Sequence, residues 1–412
     1  MNASLPFLIM MMLLGGGSGT DLLDMVPSDA YWKAKDVDFT PASIMLELNS
    51  IKPDDTSKAT AVRRLMAIRS LGEFKSPDAV SSLKAQLDSK DMFVADYAQR
   101  AIDVIEGNPT TASTSGVPPD RMKQDLYMLP EHCGVVAQER MLPGKGFDLK
   151  QLVISATQQS NNGGDAPQPD NFKAEMTAGL ITVAELTGNI RVEGVTLAVS
   201  DEIAQQKGFV VLYVRGKWDA EAVKAAIQTQ FSQTTTEGEV EFLRPPGQTQ
   251  GVGCAVVSDE FFAFVTAPSP NLNPLDEIGT AIKSGKGKFE NSTDLVKVVD
   301  SIDTTQPLWA AMVVSDNYKQ APMLTAFDNL KLVGKPTEDG IQFEATGTGQ
   351  DADAVKSAVD QMNNIMGEGR TEVGHAAGQN PMIQPFADFL NSIELKSDGT
   401  TATGTGTMKR MK

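Results

Sequence analysis

The chain has 412 residues, of which 41% are hydrophobic and 22% charged, a soluble composition with room for two or three domains that each bury a core. Its formal net charge of −17 repels phosphate backbones and anionic lipid heads, which excludes an electrostatic drive toward nucleic acid and points to basic partners or plain solubility. Aromatic residues make up 6%, too few to offer the exposed stacking platforms that single strands need.

At the N-terminus, Leu5 to Leu14 form one uncharged apolar run, followed by Gly15 to Gly19 and the polar Thr20 and Asp21. The run is too short to span a bilayer, and Gly17-Ser18-Gly19 supplies small residues where a signal peptidase cuts. Residues 1–19 therefore read as a cleaved secretory signal, atypical in having no Lys or Arg before the run, and the mature chain as exported, periplasmic or extracellular. No cysteine follows the run to be acylated, and no later segment is apolar enough to form a transmembrane helix.

Thr40-Pro41 and Ser76-Pro77 each set a capping hydroxyl before a proline, a pairing that opens helices. Apolar residues then recur at helical spacing: Val62, Leu65, Ile68 and Leu71; Val80, Leu83 and Leu87; Val94, Ala98, Ala101 and Ile105. Short helices with one apolar face must stack on one another. Within Arg63 to Ile102, Ala67 and Leu71-Gly72 close one helix, Pro77-Asp78-Ala79-Val80 opens the next, Leu83 and Leu87 precede the Asp88 turn, and Val94 with Ala98 restarts the cycle. This stretch, residues 63–102, resembles the short HEAT-like repeat family over about one and a half repeats. The resemblance implies a surface presented to another protein or to a neighbouring domain, and no catalysis. So short an array also needs cover from the segment Asp21 to Ile51 or from the domain that follows. A Pro/Ser/Thr/Gly tract from Gly107 to Asp120 then breaks the periodicity, placing an all-α domain at 36–107 and a linker at 108–124.

Beyond the linker, two segments read alike. Asp219-Ala-Glu-Ala-Val223-Lys-Ala-Ala-Ile227 aligns with Asp351-Ala-Asp-Ala-Val355-Lys-Ser-Ala-Val359, and the same offset carries Gly208 onto Gly340. Each copy spells a strand and then a helix: Phe209, Val211 and Tyr213, like Ile341, Phe343 and Ala345, fall at alternate positions, and the aspartate caps a helix burying Val223 and Ile227 or Val355, Val359 and Met362. Glu221 with Lys224, and Asp353 with Lys356, are exposed pairs one turn apart. Upstream strands lie at Val195–Val199 and Leu330–Leu332, and leading strands follow Pro130 and Pro307. Downstream, Val240–Leu243 and Gly253–Val257 match Ile393–Leu395 and Thr400–Thr405, with an Asp398-Gly399 hairpin turn in the second copy and an added strand, Phe261–Val265, in the first. The expected fold class is thus multidomain: an N-terminal all-α HEAT-like repeat, then α+β with two tandem copies of an antiparallel-sheet-plus-helix module, 125–290 and 291–412. Copies related by a pseudo-twofold set their sheets side by side or face to face, an arrangement that can enclose a groove.

The strand from Pro130 to Val136, the helix start Asp219 to Val223 and Pro307-Leu308-Trp309-Ala310 also resemble uncharacterised, signal-bearing bacterial proteins with a duplicated module of this type. That resemblance spans residues 125–408 and implies a fold without an activity.

Chemistry-bearing motifs are few. Cys133 and Cys254 are the only cysteines, both in strand-like stretches; a disulfide and two buried thiols stand as alternatives. His132 adjoins Cys133, but neighbouring strand residues point to opposite faces, so adjacency makes no nucleophile and base; His375 falls in a glycine-rich stretch, Gly367–Asn380, that reads as a loop. Another loop is expected at Gln158–Asp170, and Ser284-Gly-Lys-Gly-Lys288 reads as a turn between helices, since no strand precedes it and no Gly-Lys-Ser/Thr ends it. Two histidines and two cysteines so far apart supply no metal set, and no cofactor motif is present. Phe262 sits among Phe261 and Phe264, as core or, facing outward, as an interface. The expectation is a non-enzymatic exported protein that binds or scaffolds another protein at the cell envelope. A carrier of a hydrophobic ligand between the two modules and an enzyme with a carboxylate site are the alternatives.

Overall fold

The computed structural model describes residues 21–52, 55, 57–108, 117–140, 169–205, 207–247, 251–267, 274–320, 322–337, 340–379 and 384–409. The expected signal and most of the Gln158–Asp170 tract lie outside them. Helices α1 (Ser28–Ala34), α2 (Pro41–Ser50), α3 (Lys58–Glu73), α4 (Val80–Lys84) and α5 (Met92–Glu106) make up the N-terminal part. Thr40 caps α2 by accepting from the Ser43 N–H at 3.3 Å, with Pro41 at the first helical position. Asp91 caps α5, and Gly107, left-handed at φ 73°, ends it. Ser76 makes no such cap: Pro77–Ala79 is a 3-10 turn leading into α4. Gly72 lets α3 and α5 close on each other, since a Cβ there lies 3.0 Å from the Ala101 backbone.

After α6 (Pro119–Tyr127) come β1 (Cys133–Arg140), α7 (Pro169–Thr187), β2 (Arg191–Ser200), β3 (Val210–Lys217), α8 (Ala220–Gln228), β4 (Gln233–Glu237), β5 (Val240–Arg244), β6 (Val252–Ser258), β7 (Phe261–Thr266), α9 (Pro274–Ser284) and α10 (Thr293–Asp300). The chain continues with β8 (Leu308–Val313), β9 (Asn329–Pro336), β10 (Gly340–Thr348), α11 (Ala352–Gln379), α12 (Gln384–Ser392), β11 (Glu394–Asp398) and β12 (Thr401–Lys409). Among the described residues the strands form one 12-stranded antiparallel sheet in the order β11-β12-β10-β9-β8-β1-β2-β3-β7-β6-β5-β4. At its centre β1 pairs directly with β8, Val135 opposite Met312 and Glu139 opposite Leu308, so the two halves meet edge to edge.

Outward from that junction the order runs β2, β3, β7 on one side and β9, β10, β12 on the other. β7 lies beside β3 as β12 lies beside β10, so the expected matching of Val240–Leu243 and Gly253–Val257 with Ile393–Leu395 and Thr400–Thr405 does not follow strand position in the sheet. Asp219 and Asp351 cap α8 and α11 as expected, accepting from Ala222 and Ala354 N–H at 2.8 and 3.1 Å, and Val223, Ile227, Val355 and Val359 are buried. Lys224 departs from expectation by pairing with Glu241 at 2.5 Å instead of Glu221.

Residues alternating along β3 divide the core. Leu212 and Val214 join a cluster with α7, α8 and the N-terminal helices, whereas Val211 and Tyr213 join one under α6, α9 and α10. The first cluster runs without a break from Leu65 and Ile68 to Val183 and Val192, so the helical segment docks on the sheet and is covered there. The tract expected to be linker already begins α6 at Pro119, whose Met122 and Leu126 are buried. Gly367–Gln379, expected to be a loop, continues α11; Arg370 fastens it by donating from Nε to Leu390 O at 2.9 Å and from Nη2 to Ile393 O.

Candidate functional site: a split between two strands

Glu237 and Val240 flank a two-residue turn in which Gly238 and Glu239 are both left-handed, φ 55° and 65°. This is the type I′ geometry whose twist suits a hairpin. Gly238 is held against α9: its N–H donates to Asp276 Oδ1 at 3.1 Å, and a Cβ there meets Thr280 N at 2.1 Å. The closing pair of such a turn is hydrogen-bonded, and hydrogen-bonded pairs alternate along an antiparallel ladder. Thr235 with Phe242 and Gln233 with Arg244 are therefore the next bonded pairs within the hairpin. Thr234 and Thr236 turn their main-chain groups to the outer edge, and Glu241 and Leu243 turn theirs toward β6.

β5 and β6 nevertheless pair at a single position, Leu243 with Cys254. In β6 the register against β7 shifts between Val256 and Ser258, a bulge at Val257, and a bulge bends its strand locally. Glu241 and Val256, the next residues whose main chain faces the gap, are left unpaired. A cavity of 440 Å³ occupies the split, within the size range of ligand sites. Its walls are Val240, Leu243, Val256, Val257 and Ile282; its rim carries Lys224 paired with Glu241 and Lys283 3.9 Å from Glu239. The hydrogen bond to Glu241 raises the pKa of Lys224 and keeps it charged. Val257 is 42% exposed. Chemically, the split offers apolar side-chain seats, free main-chain groups and charges of both signs, the ingredients of strand addition.

The residues singled out by sequence lie elsewhere or beside this site. Cys254 is the last paired residue before the gap, and burial pushes its thiol up to about 12. Cys133 is buried on β1, its Sγ donating to Pro130 O at 3.1 Å, and burial raises its thiol pKa too. The disulfide weighed above is absent: both thiols are free, and four strand spacings, roughly 19 Å, separate their strands. Phe262 is 3% exposed under the first cluster, so its outward-facing alternative fails; β7 is an interior strand covered on both faces. His132 is exposed in a left-handed turn 3.8 Å from Glu131, and His375 is exposed on α11. Among the described residues no three His, Cys, Asp or Glu side chains gather as metal ligands do. Lys286 N donates to Ala281 O, in the turn expected between two helices.

Sequence reasoning missed a buried ion cluster. Asp21, fully buried, accepts from Arg191 Nε at 2.5 Å and Nη2 at 3.0 Å, and from Arg100 Nη2 at 3.0 Å. Asp96 accepts from both arginines, and Asp24 from Tyr97 Oη at 3.0 Å and Arg100. Burial, followed by the charge of Asp21, raises the Asp24 pKa. Burial opposes ionisation of Asp96 as well, but hydrogen bonds from Arg100 and the two guanidinium charges hold its pKa below the usual range. The Asp96 and Arg100 spacing on α5 was legible, but nothing local marks Asp21 or Arg191 as its partners.

No protein-family model matches the sequence, and no curated protein matches it. Among solved structures, crystal form III of TP0453 aligns with a TM-score of 0.36 at 9% identity, over 69% of this chain and 94% of that one. Crystal form I gives 0.34 and 10% over 68% and 91%, and crystal form IV 0.36 and 8% over 73% and 96%.

Proposed function

We propose that this chain is a non-enzymatic exported protein that binds another protein at the cell envelope, and that the split between β5 and β6 holds an extended segment of that partner. The observation that carries the reading is the unpaired main chain of Glu241 and Val256 facing a cavity walled by valines. A strand entering there satisfies main-chain groups on both sides and seats alternate side chains on Val240 and Val256. The net charge of −17 favours a basic segment. In this reading the helices α1–α5 are a HEAT-like array that stiffens the sheet, with the ion cluster fixing its orientation. The two halves of the sheet descend from one duplicated module, supported by the order of strands around β1 and β8 and by the matching caps Asp219 and Asp351. The apolar run Leu5–Leu14 supports export.

The test is calorimetric titration of the full chain with a short peptide that alternates valine and threonine between terminal lysines. Binding that is lost in Val257→Trp, which fills the split, and in Glu241→Pro, which removes the N–H facing it, supports the reading. The Glu241→Gln control keeps that N–H and retains binding. Absence of binding, or binding untouched by both substitutions, contradicts the reading.

A further inference from the structure

The two edges of the sheet are guarded unequally. β11 carries Glu394, Lys396 and Asp398 on one face, with Lys396 3.0 Å from Glu394, and such charges discourage a further strand. β4 at the other edge reads Gln233-Thr-Thr-Thr-Glu237, with no Lys, no Pro and no register shift against β5. Thr234 and Thr236 are exposed, and their main-chain groups are the ones that face outward.

We propose that β4 pairs antiparallel with β4 of a second copy of this chain about a twofold axis at Thr235, joining the two sheets into one. The register is fixed by hydrogen-bond alternation. With Thr235 on the axis, Thr234 lies opposite Thr236 of the second copy, and these outward-facing residues form about four main-chain hydrogen bonds, two from each symmetry-related pair. Thr235 opposite itself is then a non-hydrogen-bonded pair, as its own main chain requires, because it is committed to Phe242. A shift by one residue sets inward-facing groups against outward-facing ones and loses the bonds. The side chains agree with this register. On one face Thr234 meets Thr236; on the other Thr235 meets Thr235, and Gln233 supplies an amide donor to the Glu237 carboxylate of the second copy. Every cross-strand pair is favourable or neutral, and no like charges oppose each other despite the acidity of the whole chain. The inference does not depend on occupancy of the β5–β6 split.

Five residues on each side make a small interface, so the dimer is expected to be weak and concentration-dependent. Sedimentation velocity from about 1 to about 500 μM covers the affinity range of so small a contact. Thr234→Pro removes only an outward N–H and leaves the hairpin ladder intact; Thr235→Lys opposes two ammonium groups at the axis. Each is expected to weaken dimerisation at least tenfold with the thermal midpoint of the monomer unchanged. Mixing Thr235→Lys with Thr235→Glu chains is expected to restore a mixed dimer, an outcome that a folding defect in either chain would not give. A chain that stays monomeric throughout the range overturns the proposal. So does a dimer weakened by only one of the two single substitutions, or a mixture that fails to associate.

Discussion

Leu243 of β5 and Cys254 of β6 form the paired position that ties the β4–β5 hairpin to the rest of the sheet. Leu243 is also 1% exposed in the core cluster that includes α8. The hairpin is thus held by that pair, by Leu243, by Val240 and Phe242 packed in the cluster under α9, and by the anchoring of Gly238 on α9. Leu243→Ala is expected to cost about 2–5 kcal/mol in denaturant unfolding. It is also expected to speed amide exchange in Thr235 and Phe242 while leaving β2 and β3 protected. Uniform loss of protection across the sheet contradicts a hairpin held this locally.

Asp21 and Arg191 lie 170 positions apart and meet in a buried bidentate contact. Removing one partner strands the other charge away from water, so Asp21→Asn or Arg191→Met is expected to cost about 3–5 kcal/mol. By contrast, Lys297→Ala at the exposed pair with Asp294 leaves the midpoint unchanged. Urea titrations of the three variants make the comparison.

Glu139 on β1 carries a carboxyl whose pKa burial pushes from 4.5 to about 7. The folded chain therefore holds this proton more tightly than the unfolded chain does. The stabilisation is fully present below pH 4.5 and is lost as pH rises through 7. Its size is up to about 3 kcal/mol across that window. Glu139→Gln is expected to flatten this part of the stability–pH curve, whereas an unchanged slope contradicts the assignment.

Cys133 and Cys254 are buried thiols on well-separated strands. Ellman's reagent is expected to find neither in the native chain and both after denaturation without reductant. A native disulfide would leave both silent in each state.

The parts of the fold written in local chemistry were readable from the sequence. Asp219 and Asp351 cap helices because a short carboxylate before an apolar-periodic run suits no other place so well, and Val223 and Val355 point inward by the same periodicity. Features that depend on what lies across from a residue were not readable. Four glycines made residues 367–378 resemble a loop; Arg370, bonded to carbonyls at the end of α12, holds them helical. Periodicity placed Phe261–Val265 as a strand but not between β3 and β6, where both faces are covered. The split lies beside a one-residue bulge at Val257, which leaves alternation within β6 almost undisturbed and so has no signature in composition.

The most direct test of strand addition is residue-resolved amide exchange of the full chain with and without the valine–threonine peptide. In the free chain the Glu241 amide, facing the gap, is expected to exchange quickly, while that of Phe242, bonded to Thr235, exchanges slowly. On adding peptide, Glu241 and Val256 are expected to gain protection while Phe242 stays as it was. Protection that appears elsewhere, or a Glu241 amide already slow in the free chain, contradicts the split as the place where a partner strand is received.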